Sequence, residues 1–155
     1  MEAPEGTVRI QYEDGFYFGP VDDEGREHGV GMFSWNSGAM YTGEFRHGTF
    51  NGHGRFAWPD GTIYDGDFLD DTRTGKGRIE WPSGQWYEGD FVNGVRTGKG
   101  KTMWPSGQWY EGDFKEGRMD GVGEFHEADG SVTYSGSWTQ DCPVGLPEGM
   151  KLVKE

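Results

Sequence analysis

Six tyrosines recur at near-constant intervals, Tyr17, Tyr41, Tyr64, Tyr87, Tyr110 and Tyr134, with gaps of 24, 23, 23, 23 and 24 residues. So regular a period calls for a stack of like units, each completing its neighbour, rather than an aperiodic globule. Other positions keep the same beat. A glycine lies two residues after each tyrosine, and two further on come Phe45, Phe68, Phe91, Phe114 and Trp138, with Val21 as the weak member. Glycine pairs follow at Gly29/Gly31, Gly52/Gly54, Gly75/Gly77, Gly98/Gly100 and Gly121/Gly123, and then turn tripeptides such as Pro59-Asp60-Gly61 and Pro82-Ser83-Gly84. The eleven residues Trp81–Phe91 recur identically as Trp104–Phe114. The period divides the chain into a tail, 1–9; a partial repeat, 10–16; repeats 17–40, 41–63, 64–86, 87–109 and 110–133; a partial repeat, 134–141; and a second tail, 142–155.

Each block reads as two short strands. Tyr64-Asp-Gly-Asp-Phe68 alternates ring, acid, glycine, acid, ring, the period of a strand with two unlike faces. Gly75–Trp81 alternates again, with Gly75, Gly77, Ile79 and Trp81 on one side. The glycine density excludes helix, since each interior glycine costs about 1 kcal/mol against alanine. Two turns per block give a β-hairpin, and successive hairpins give a meander. The expected register sets Tyr64 opposite Ile79, Gly66 opposite Gly77 and Phe68 opposite Gly75, so that rings lie over glycines. On the other face it sets Asp65 against Arg78, Asp67 against Lys76, Glu88 against Lys101 and Asp90 against Lys99.

Composition limits the function. Leu, Ile, Val and Phe supply only 25 of 155 residues, while Trp, Tyr and Phe supply 24, so any core is aromatic rather than aliphatic. The acidic N-terminus does not read as a signal peptide. Lone Cys142 fits a reducing compartment and offers neither a disulfide framework nor a cysteine zinc site. A net charge of −13 repels phosphate backbones and anionic head groups; nucleic acid is not an expected partner, and membrane contact is disfavoured. Gly94–Gly100 misses the phosphate-loop spacing and places Gly100 where a hydroxyl must hold magnesium. Of His28, His47, His53 and His126, only the pair 47/53 has a ligand-like spacing. No catalytic residue, cofactor or metal is expected, and the chain reads as no enzyme.

The pattern Tyr-x-Gly-x-Phe, Gly-x-Gly, Trp-Pro-Asp/Ser-Gly at 23 residues resembles the MORN (membrane occupation and recognition nexus) repeat family over residues 10–141. His28-Gly29 keeps a histidine common in that family, whereas Asn51, Thr74, Thr97 and Asp120 replace it elsewhere. Asp71 stands where the other blocks carry Gly48, Gly94 or Gly117, and Glu127 replaces the turn tryptophan. The resemblance implies an all-β, single-layer twisted antiparallel meander and a cytoplasmic adaptor or scaffold associated with cytoskeleton, cilium or membrane.

On this reading a concave aromatic groove of Tyr41, Phe45, Phe56, Trp58, Tyr64, Phe68, Trp81, Tyr87, Phe91, Trp104, Tyr110 and Phe114 takes an apolar or amphipathic, partly basic segment of a protein partner. Arg46, His47, Arg73, Arg96 and Arg118 are expected in hairpin loops along one edge, fixing the partner's register. Trp86 and Trp109 precede repeat tyrosines and so point to the charged face, as a second patch or lying along Lys and Arg stems. The alternatives are a phospholipid-binding module and the accessory domain of a larger enzyme; a carbohydrate- or choline-binding aromatic repeat fits the period less well. Unpaired edge strands leave a homodimer open.

Overall fold

The computed structural model describes residues 6–145. Among them are thirteen strands: β1 (Thr7–Gln11), β2 (Gly15–Pro20), β3 (Gly29–Trp35), β4 (Met40–Arg46), β5 (Thr49–Ala57), β6 (Ile63–Leu69), β7 (Thr72–Glu80), β8 (Trp86–Val92), β9 (Val95–Met103), β10 (Trp109–Lys115), β11 (Arg118–His126), β12 (Val132–Thr139) and β13 (Cys142–Pro143). They form one antiparallel sheet in strict chain order: the meander read from successive hairpins, in the single layer that the family resemblance implies. The sheet begins at Thr7 rather than at residue 10. It also reaches past 141, because Val144 donates its N–H to Ser137 O at 2.9 Å and the chain turns back along β12. The remainders of both expected tails, 1–5 and 146–155, lie outside the described residues.

The turns follow from their residues. In the Trp-Pro-Ser-Gly turns Gly84 N donates to Trp81 O and Trp81 N to Gln85 O, both at 2.9 Å. The shorter loops carry two successive residues at positive φ, such as Asn93 (49°) and Gly94 (82°), as two-residue hairpins require. These loops are laced to the preceding repeat: Gly94 N donates to Arg73 O at 2.8 Å, and Gly117 N to Arg96 O at 2.9 Å.

The register departs from expectation at one recurring point. Tyr64 faces Ile79 and Gly66 faces Gly77, but a bulge between Gly66 and Phe68 puts Phe68 opposite Arg73. Gly75 instead faces Phe91 of the next repeat. The same shift recurs between Gly43/Phe45, Gly89/Phe91 and Gly112/Phe114.

The bulge turns the acid after each of these glycines toward the main chain. Asp67 accepts the Lys76 N–H at 3.0 Å, Asp90 the Lys99 N–H at 2.8 Å and Asp113 the Val122 N–H at 2.8 Å, while Glu44 does the same for His53 N. The expected Asp67–Lys76 and Asp90–Lys99 ion pairs are therefore replaced. Lys76 reaches forward to Asp90 and Lys99 to Asp113, so these ion pairs join successive hairpins. Asp65 and Glu88 do stand opposite Arg78 and Lys101 as expected, but their ion pairs run to His53 and Arg78 on the other neighbouring strand.

Lys76, first, and the Lys99 N–H hold the Asp90 carboxyl below its ordinary pKa, against a smaller opposing effect of burial. Asp90→Ala should lower stability by about 1.5–3 kcal/mol near pH 7, the worth of a hydrogen bond to a charged group. Because the folded pKa is depressed, that stability is present above about pH 4 and disappears as pH falls through the folded value. Urea unfolding at pH 7 and pH 3 should show the gap between wild type and variant closing at the lower pH.

Candidate partner-binding face

The ring-bearing face is built from a tyrosine ladder. Tyr17, Tyr41, Tyr64, Tyr87 and Tyr110 are all 0% exposed. Each lies over a glycine of the facing strand: a Cβ on Gly100 would stand 2.4 Å from the Tyr87 ring. Each hydroxyl donates to the carbonyl three residues on, as Tyr87 does to Asp90 O at 2.7 Å. Phenylalanines clamp the tyrosines edge-on from both sides; Tyr87 meets Phe91 at 5.2 Å and Phe114 at 4.9 Å. Such pairs add about 0.5–1.5 kcal/mol each beyond area burial. In a single layer these rings are the core.

Eight of the twelve expected groove residues belong to that core: Tyr41, Phe45, Tyr64, Phe68, Tyr87, Phe91, Tyr110 and Phe114 are buried. Phe56, Trp58, Trp81 and Trp104 are half-buried on top of it, with Trp35 continuing the row. Trp58, Trp81 and Trp104 open the Pro-Ser/Asp-Gly turns of three successive repeats. A small hollow of about 220 Å³ opens between Phe50, Phe56, Trp58, Phe68 and Arg73.

Arg73 and Arg96 do not stand out along an edge. They begin β7 and β9 and fold across the ring-bearing face, at the register position that Phe50 and Met119 fill elsewhere. The Arg73 guanidinium carbon lies 5.3 Å from the Trp58 ring centre, 5.6 Å from Tyr64 and 5.7 Å from Phe91. Arg96 repeats this over Trp81, Tyr87 and Phe114 at 5.4, 5.6 and 5.8 Å. Burial lowers the pKa of both guanidiniums from its ordinary value. Among the described residues Arg73 makes no ion pair; its Nη2 donates to Gly94 O at 3.0 Å. The proximity of these two residues to loop glycines hid this placement from sequence reading.

A wider concavity lies on the opposite, charged flank. A hollow of about 1240 Å³ is floored by Gly66, Gly77, Gly89, Gly100 and Gly112 and walled by Asp65, Lys76, Arg78, Glu88, Lys99 and Lys101. Rings fill the space on one side of the glycine ladder, and among the described residues no side chain fills it on the other. Trp86 and Trp109 stand at this flank. Arg78 lies over Trp86 at 4.2 Å, Lys101 over Trp109 at 4.1 Å, and His126 stacks on Trp109 at 3.5 Å. Basic side chains therefore cover both indoles.

The histidine pair at 47/53 is not brought together. His53 pairs with Asp65 at 2.8 Å on the charged flank. His47 instead packs against His28, ring centres 4.6 Å apart, and its Nδ1 lies 2.7 Å from Asp22 Oδ2. That hydrogen bond, aided by the loop N–H groups and Arg26, holds the Asp22 carboxyl well below the usual carboxylate range. Among the described residues no hydroxyl or thiol is hydrogen-bonded to a histidine.

Comparison with known proteins bears on this geometry. The MORN repeat profile matches residues 23–40, 41–63, 64–86, 87–109 and 110–132. No curated protein matches the sequence. Among solved structures, the TCP domain of Drosophila melanogaster SAS-4 (dCPAP), in complex with a proline-rich motif of Ana2 (dSTIL), is similar at a TM-score of 0.49 and 14% identity, over 85% of this chain and 79% of that one. The wild-type TCP10 domain of Danio rerio CPAP is similar at a TM-score of 0.38 and 15% identity, over 87% of this chain and 69% of that one.

Proposed function

The chain belongs to the MORN repeat family, and from that premise we propose that it is a non-enzymatic protein-binding scaffold. An apolar or amphipathic segment of a partner protein lies across the tryptophan row of the ring-bearing face. The observation that carries this reading is the set of half-buried indoles, Trp58, Trp81 and Trp104, presented once per repeat above a closed aromatic core. Two strand spacings separate successive repeats by about 10 Å. A helix presents side chains at i and i+7 with about the same separation, so one apolar residue every two turns meets each indole. Arg73 and Arg96 keep the same interval and call for carboxylates on the segment where it crosses them. Basic residues on its flanks suit the surrounding net charge of −13.

Affinity capture should compare wild type with the Trp58→Ala/Trp81→Ala/Trp104→Ala variant and with Trp86→Ala/Trp109→Ala. Proteins held by wild type and by the second variant but lost from the first define the partner. Calorimetry with the recombinant partner segment should then show at least about 30-fold weaker binding to the triple variant, the size of one binding hot spot. Undiminished binding overturns the reading. Vesicles of phosphatidylserine should not sediment the protein at about 0.15 M salt, because the chain has no polybasic cluster. Salt-resistant sedimentation moves the function to membranes.

A further inference from the structure

We propose that Asp22, His28 and His47 form a zinc-binding site joining the first two repeats. Their ligand atoms, one carboxylate oxygen and one nitrogen from each imidazole, all lie within 4.8 Å of one another. Tetrahedral zinc with bonds of about 2.0–2.1 Å needs ligand atoms about 3.3 Å apart, so shifts of about 1.5 Å or less, closing the longer separations and opening the 2.7 Å Asp22–His47 one, complete the shell. Two imidazoles and one carboxylate suit zinc and leave a fourth position for water, and the imidazoles select against magnesium and calcium.

The backbone prepares this arrangement. In the 22–28 loop, Asp22 Oδ1 accepts the N–H groups of Glu24 and Arg26 at 2.8 and 3.0 Å, which leaves Oδ2 turned toward His47. His28 is fixed by its own N–H to Pro20 O at 3.1 Å and by the His47 N–H donated to its Nδ1 at 3.2 Å. His47 holds a left-handed turn position at φ 47°, and Gly48 N ties that turn to Glu27 O at 2.8 Å. Three ligands from two turns thus converge without long-range rearrangement.

A cation already occupies the spot. Arg26 Nε lies 2.9 Å from Asp22 Oδ2, and its Nη2 lies 3.4 Å from His47 Nδ1. The same Nη2 lies 3.3 Å from Glu24 Oε2, and the side chain is 47% exposed. Zinc can therefore displace the guanidinium toward Glu24 without leaving it unpaired.

The test is calorimetric titration of zinc chloride into the untagged full chain after removal of metal with EDTA. Wild type should bind one equivalent at this site. His28→Asn and His47→Asn should each weaken binding by at least tenfold, since even outer-shell changes at zinc sites cost about 10–100-fold. Asparagine tolerates the left-handed turn at position 47, and thermal unfolding in EDTA checks that both variants fold. Arg26→Gln should tighten binding, an effect that a purely structural role for these residues does not produce. His53→Asn should leave it unchanged. Absence of zinc binding, or equal affinity in the two histidine variants and wild type, overturns the proposal. Should a variant fail to fold, zinc-edge X-ray absorption on the wild type decides: two imidazoles in the shell support the site, and fewer overturn it.

Discussion

Raising the pH is expected to unfold the chain in one cooperative step between about pH 10.5 and 12, with the tyrosines ionising as it opens rather than before. Tyr17, Tyr41, Tyr64, Tyr87 and Tyr110 have no solvent exposure, and their hydroxyls donate to carbonyl oxygens at 2.6–2.8 Å. A phenolate cannot donate that bond and would place a buried anion against a carbonyl. Burial is the main cause that pushes Tyr17 up to about 12, and it raises the other four further. The neighbouring Glu44, Asp67, Asp90 and Asp113 carboxylates add to the rise in those four.

The sign follows from which state releases protons first. Unfolded tyrosines ionise near pH 10, while the folded ones stay neutral, so stability is complete below pH 10 and falls as pH climbs toward the folded values. Each tyrosine contributes a slope of up to about 1.4 kcal/mol per pH unit, and five together about 7. A domain has about 5–15 kcal/mol to lose, so one to two pH units suffice. Absorbance at 295 nm and far-UV circular dichroism should change together. Five phenolates appearing near pH 10 with the sheet intact would show that the ladder is open to water.

The period, the two unlike faces, the turn tripeptides and the pairing of Tyr64 with Ile79 were all legible in the sequence, because each repeats and each follows from alternation. The bulge was not. It depends on Gly75 adopting φ +107° and on the Asp67 carboxylate turning to a main-chain N–H, and neither leaves a trace in residue spacing. That missed bulge carried the ion-pair assignments with it, sending Lys76 to the next repeat instead of its own hairpin. Arg73 looked like a loop cation because it neighbours a turn, yet the bulge sets it opposite Phe68 and so on the aromatic side.

The accessible part of the aromatic face was legible only in outline. Alternation placed twelve rings on one flank but could not separate the Tyr and Phe positions, which cover one another, from the turn tryptophans above them. The histidine cluster was invisible for a different reason. His28 and His47 are 19 residues apart, the interval that also joins Asn51 to Asp70 and Thr74 to Asn93, so the period does bring their positions together; what it does not give is Asp22, which stands in the irregular loop of the first block.

Gly100→Ala should destabilise the sheet by about 1–3 kcal/mol or more through steric conflict alone. Gly100 lies in β9 with no left-handed backbone angle, so alanine is acceptable to the main chain there. Its Cβ, however, would stand 2.4 Å from Tyr87 Cε2 and 2.5 Å from Tyr87 Oη. The ring has nowhere to go: its hydroxyl is bonded to Asp90 O at 2.7 Å, and Phe91 and Phe114 press on it edge-first. Gly84→Ala gives the complementary case, with φ +94° and no atom within 4 Å of the added Cβ, so its cost of about 1–2 kcal/mol is the backbone contribution alone. The two variants thus separate the reasons for glycine in this chain. Tyr87→Ala should itself cost about 3–5 kcal/mol, but in the double variant with Gly100→Ala the clash is gone, and its loss should fall short of the sum of the two single losses by more than about 1 kcal/mol. Chemical denaturation of the four proteins measures this coupling. Strict additivity, or a Gly100→Ala midpoint indistinguishable from wild type, would mean that the tyrosines do not rest on the glycine ladder and that the ring-bearing face closes by some other contact.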